Sequence, residues 1–235
     1  MPFPFEYRIE RNARRKRLAV TVTAAGEVIV KAPVRASKRE IERLLGDSSE
    51  WILGALARAE SRREAVGVSE ETDFLPGETL PLFGRECPIL FSDTGAPYFR
   101  AGVFYLTGED REIRKHEVEK LYIAIAKEVL PKTVARLANL VGLIPAGVKI
   151  GRAARSWGYC KKDGTLYFSW RLIAHDERVV EYVVVHELCH LQHFDHSQAF
   201  WSAVGQVIPD YKAVEKSDRA KALNLRLTLM GLMPG

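Results

Sequence analysis

His186, Glu187 and His190 stand in the order HExxH inside the stretch Val183 to Trp201, VVVHELCHLQHFDHSQAFW. On a helix that spacing puts both imidazoles on one face, one turn apart, within reach of a single ion. Two imidazoles and a third ligand can hold a tetrahedral Zn2+ with one position left open. A bound metal of that kind lowers the pKa of its water to about 7, and a carboxylate beside the ligands can take the proton. Glu187 has the position of that general base rather than of a ligand. The chemistry expected of these residues is metal-assisted hydrolysis.

Two further histidines compete for the third ligand position. His196 lies six residues beyond His190, the spacing of HExxHxxGxxH arrangements, and a turn after the helix can swing it back. His193 would share the helical face if the helix continued, but ~10 Å along the axis from His186, beyond the metal. The reading therefore favours His196, with the His193 ring lining the pocket. Candidate donors to a developing oxyanion are Tyr211, Arg155 and His193. Asp195, Asp176 and Glu181 are candidate acceptors for the ligands' second ring nitrogens.

These residues need particular elements to hold them. The segment Glu177 to His193 is rich in β-branched residues, yet a strand would set 186 and 190 ~13 Å apart whereas a helix separates them by ~6 Å. A helix is expected, apolar nearly all round and hence buried. Ser197 is placed to cap the next helix, and Tyr211 to Leu225 reads as helical again. Before the motif, Gly147 to Gly151 and Leu166 to Trp170 read as strands joined by a loop, RAARSWGYCKKDG. Arg111 to Val141 fits a long amphipathic helix interrupted or kinked at Pro131.

Toward the N-terminus, Phe5 to Ile9 and Leu18 to Thr23 are strand-like. LAVTVTAAGEVIVKAPV reads as a hairpin turning at Ala24-Ala25-Gly26. Ser37 begins a helical segment that Gly46 and Asp47 can split. Residues 66 to 78 have the marks of a linker, and Thr79 to Phe83, Glu86 to Phe91 and Tyr98 to Leu106 are short strand signals. The division expected is an N-terminal β-rich module with a helix, 1–106, and a catalytic domain, 107–235.

Composition bounds the setting. The 235 residues carry three cysteines, an odd number with no CxxC pair, which speaks against a disulfide framework and for a reducing, cytoplasmic compartment. No stretch approaches the ~20 apolar residues of a membrane span. The net charge of +5 is uneven: residues 1 to 65 hold 14 Lys/Arg against 9 Asp/Glu, and the remainder balances. Arg11, Arg14, Arg15, Lys16 and Arg17 form the densest run, which is either a solvated edge or a contact for nucleic acid.

The segment from ARSWGYCKKDGTLYFSWRL through HELCHLQHFDHSQAFW to IPDYK resembles the YgjP-like metallopeptidase-domain family, and YRIERNARRKRLAVTVTAAGEVIVKAP and Glu50-Trp51-Ile52 extend the likeness over nearly the whole chain. That family is similar in turn to WLM and SprT-like zinc proteases, which act on proteins crosslinked to DNA. The resemblance implies a zincin-like α+β core, Zn2+ as cofactor, and ligands at His186, His190 and His196, the last preceding Ser197 to Trp201. It also implies that Leu166 to Trp170 is an edge strand to which a peptide adds antiparallel. Where the family has Arg-Trp-Gly-Ser, this chain has Ser156-Trp157-Gly158-Tyr159.

The expected activity is hydrolysis of peptide bonds in a peptide or protein substrate. Alternatives are a metal-dependent hydrolase of a nucleotide phosphoanhydride and a DNA-associated protein with a mainly structural metal; an intact Glu187 argues against the last. The sequence leaves the oligomeric state open.

Overall fold

The computed structural model describes residues 3–23, 26–66, 72–153 and 156–233. The chain divides into two compact units, residues 1–71 with 224–235, and residues 72–223. Among the described residues no helix is long and apolar enough to cross a membrane.

In the first unit, β1 (Tyr7–Asn12), β2 (Ala19–Val22) and β3 (Val28–Pro33) form a sheet in the order β1-β3-β2. The expected hairpin is present as the antiparallel pair β2 and β3, although part of its turn, Ala24-Ala25, lies outside the described residues. β1 pairs with β3 in parallel. Val28, Val30 and Ala32 of β3 enter a core with Ile41 and Leu45 of α1 (Lys38–Asp47) and Ile52 of α2 (Ser49–Val66). Ser37 and Glu40 close a reciprocal capping box at the start of α1. The helical segment divides at Ser48, just past Gly46 and Asp47. Arg11 of the basic run donates to the carbonyls of Pro33, Val34 and Ala36, so one of its five charges fastens the exit of β3.

The second unit is built around α3 (Arg111–Val141), capped at one end by Asp110 and ended at the other by Gly142 in the left-handed region. Val118, Tyr122, Ala126, Leu130, Val134 and Leu137 line its buried face. The helix continues through Pro131. Giving up one backbone bond there is tolerated because Leu130 and Val134 on either side stay buried.

β4 (Thr79–Leu82), β5 (Arg85–Phe91), β6 (Tyr98–Arg100) and β7 (Val103–Leu106) make a sheet ordered β4-β5-β7-β6. The signal from Tyr98 to Leu106 is thus a hairpin rather than one strand. It turns at Ala101-Gly102, with φ of 50° and 82°. The end of β7 is tied to α3: Glu117 accepts from the Thr107 and Gly108 N–H groups and the Thr107 hydroxyl, and Phe104 meets Tyr122. The expected division at 106/107 therefore falls inside the second unit.

A third sheet carries the elements nearest the motif: β8 (Gly147–Gly151), β9 (Gly158–Cys160) and β10 (Thr165–Ser169), ordered β8-β10-β9. β10 is parallel to β8 and antiparallel to β9. Two expectations change here. Leu166 to Ser169 is the central strand, not the edge, and Trp170 begins a buried 3-10 turn, Trp170–Ala174. The edge strands are β8 and β9, and β9, three residues long, lies within the segment expected to be loop. α4 (Glu177–Cys189) follows and packs against both α3 and β9, and α5 (Gln198–Val207) packs on α4. The last helical segment is two helices, α6 (Tyr211–Glu215) and α7 (Asp218–Leu229).

Candidate metal centre

α4 ends sooner than its sequence period suggests. Cys189 is its last residue and His190 its cap, so His193 does not share the helical face of His186. The chain instead curls back: the ring Nδ1 of His190 lies 2.8 Å from the carbonyl oxygen of His193. That carbonyl can only accept, so His190 carries its proton on Nδ1 and presents the Nε2 lone pair to the site. The useful part of His193 is its backbone, and the acceptor is none of the three carboxylates expected. Asp195 accepts from the Ser197 N–H at the head of α5, Asp176 pairs with Arg219, and Glu181 pairs with Arg136 and Arg178.

The curl also delivers His196. Its Nε2 lies 3.2 Å from the Nε2 of His186, which lies 3.2 Å from the Nε2 of His190. All three ligand atoms fall within 4.8 Å of one another. With nitrogen ligands at about 2.0 to 2.1 Å from a tetrahedral ion, neighbouring donor atoms sit roughly 3.3 Å apart. Hydrogen bonding among the rings is a poor alternative, because the single Nε2 of His186 would have to serve both neighbours at once. The donor set therefore fits a divalent metal. His196 is exposed whereas His186 and His190 are partly buried, so the cluster faces solvent on the His196 side.

Phe200, fully buried on the first turn of α5, holds the three rings in place. Its ring centroid is 4.8 Å from those of His186 and His196 and 4.6 Å from that of His190. Ser197 caps that helix by accepting from the Phe200 N–H, so the cap and the ring that braces the cluster are one device. Trp201 meets His186 and His196 and stacks on Tyr211 at 5.1 Å. Tyr211 thus stands one ring away from the histidines. Arg155 lies outside the described residues.

Glu187 points away from the histidine face toward β9 and is only 6% exposed. Burial pushes its carboxyl up to about 7, opposed by the Cys160 N–H that it accepts. Burial, and then the neighbouring rings of His190 and His196, draw His186 down to about 4. Gly158 makes room for the glutamate: a Cβ there would lie 2.9 Å from Glu187 Cγ and 3.1 Å from Phe168 Cδ1. Neither Gly158 nor Cys160 is conspicuous in the sequence. Their one signal is a lone glycine, which can mark a close approach to a strand.

Residues 16–218 match the family described as YgjP-like, metallopeptidase domain. Among solved structures, the zymogen of the metallopeptidase abylysin from Pyrococcus abyssi is 26% identical to this chain, covers 39% of it and 91% of its own length, and superposes with a TM-score of 0.36. Comparison with curated proteins finds no match. The family match spans most of the chain and contains HExxH, His196 and the edge strand against Glu187, and the chain belongs to the YgjP-like family of metallopeptidase domains.

Proposed function

We propose that the protein is a zinc-dependent endopeptidase in which His186, His190 and His196 hold the metal and Glu187 is the general base. The observation that carries this reading is the convergence of three imidazole Nε2 atoms beside a buried glutamate that lies against a free sheet edge. A Zn2+ ion held by these nitrogens would supply Lewis acidity, polarising the scissile carbonyl and acidifying the attacking water. The remaining work belongs to the chain.

A peptide joins the sheet by adding antiparallel to β9. In the pairing of β9 with β10, the Lys161 N–H donates to the Thr165 carbonyl and the Ser169 N–H to the Trp157 carbonyl. The odd-numbered residues are thus turned toward β10, and the backbone groups of Gly158 and Cys160 are turned to the free side. A peptide laid there passes beside Glu187. The carboxylate takes a proton from the attacking water and returns it to the departing amine nitrogen, and the Cys160 N–H orients it meanwhile. Tyr211, held by Trp201, is the described candidate for donating to the developing oxyanion.

The test is metal analysis with assays on peptide and nucleotide panels for wild type and Glu187→Gln. The variant is expected to keep its metal and lose peptide hydrolysis by a factor of about 10² to 10⁴. An unchanged rate would overturn the proposed role, and hydrolysis confined to nucleotides would overturn the peptidase reading.

A further inference from the structure

The outward face of the β8-β10-β9 sheet carries a row of side chains that the hydrolytic site does not use. Lys149 pairs with Tyr167, and Tyr167 pairs with Tyr159, so one residue from each strand stands in a line across the sheet. The two tyrosine rings stack with centroids 4.8 Å apart and planes within 4°. The Nζ atoms of Lys161 and Lys149 lie 4.6 Å and 5.6 Å from the centre of the Tyr167 ring. Tyr167 is therefore held from several sides. Tyr159, at the sheet edge, is 41% exposed.

Side chains alternate along a strand, and a Cβ on Gly158 would point at Glu187 and Phe168. Tyr159 consequently faces the opposite side of the sheet from the general base, while its own backbone lies between the two residues that Glu187 contacts. A peptide hydrogen-bonded to the Gly158 N–H and carbonyl and to the Cys160 carbonyl places one residue directly across from Tyr159, while the Cys160 N–H stays with Glu187. That is a non-hydrogen-bonded antiparallel pair, with Cα atoms roughly 4.5 Å apart and the side chains at their closest. Because Glu187 lies at this point of the strand, the facing residue is next to the bond that is cut.

Resting on the peptidase reading, we propose that Tyr159 is a specificity-determining residue: it selects extended peptides with an aromatic side chain flanking the cleaved bond, adding that side chain to the Lys149–Tyr167–Tyr159 row. The row supplies two already ordered rings, so the incoming ring stacks on a surface whose ordering cost has been met by the fold. Aromatic cross-strand pairs of this kind support a preference of about two- to fivefold over alanine.

The experiment compares kcat/KM on peptide series in which each residue flanking the cut is varied among Phe, Tyr, Leu, Ser and Ala. The enzymes are the metal-loaded wild type, Tyr159→Ala and Tyr159→Phe. The readout is the Phe-to-Ala substrate ratio within each preparation, which does not change with the fraction of correctly folded enzyme. Wild type and Tyr159→Phe are expected to favour Phe at one flanking position, and Tyr159→Ala to lose that preference. An unchanged ratio in Tyr159→Ala, or no aromatic preference beside the cut in wild type, overturns the role of Tyr159 and leaves the peptidase reading intact. Failure of wild type to cut any peptide overturns both.

Discussion

The two histidines after the helix do different work with different atoms. His193 offers a carbonyl that fixes the tautomer of His190, and His196 offers a ring nitrogen to the cluster. Substitution separates them. His193→Ala keeps the carbonyl and is expected to retain the metal, whereas His196→Ala removes one of three donors and is expected to lose it on desalting; elemental analysis of the two variants reads the difference. The reverse result would contradict the ligand set. At this scale the sequence was informative where spacing alone decides geometry, as for His186 and His190 on one helical face. It could not show that α4 stops at Cys189, because the residues beyond continue the same period and the stop depends on the His190 ring meeting a carbonyl three residues ahead.

At the scale of elements, β9 and α4 meet where the sequence offers least to read. Strand signals rest on alternating apolar side chains, and Gly158-Tyr159-Cys160 has a missing side chain at one of its three positions. The strand is defined by its partner: β10 supplies the ladder and Glu187 takes the Cys160 N–H. The edge position expected for Leu166 to Trp170 came from the family resemblance, and the strand's own signal could not correct it. Its alternation reports burial rather than neighbours. Gly158→Ala is expected to bind metal normally but to lose kcat by about 10- to 100-fold, because the added Cβ meets the glutamate at 2.9 Å and small misplacements at the reacting group have costs of that order. An unaltered kcat would mean that Glu187 can shift without consequence.

For the whole molecule, a centre assembled from a helix end and the loop after it links metal binding to folding. His196 comes from a loop whose arrangement depends on the cap of α5 and on Phe200, so an ion that binds only the assembled site stabilises the native state by mass action. At a free metal concentration 100 times Kd that is about 2.7 kcal/mol, and for a chain of this size each kcal/mol moves Tm by roughly 2 to 4 °C. Chelation is expected to lower Tm by about 5 to 10 °C, and added Zn2+ to restore it, as measured by calorimetry. No change in Tm would mean that the three histidines do not hold the ion in the native state. The long helix α3 and the hairpin of β2 and β3 were legible because they repeat a simple period over many residues. The boundary between the units was not, since the bonds from Glu117 that join β7 to α3 are local and polar.

The brevity of β9 bears on how copies of the protein coexist. An open sheet edge is a template for any chain with free backbone groups, other copies of the same protein included, and long flat edges polymerise. Here the edge is three residues long, Lys161 follows it directly and only two of its residues turn outward. A guest strand gains few ladder bonds and leaves easily. Growth of sheet upon sheet would gain too little at each step to outlast dissociation. The same economy of length that would limit how tightly a peptide is held on the proposed reading also disfavours self-association through that edge.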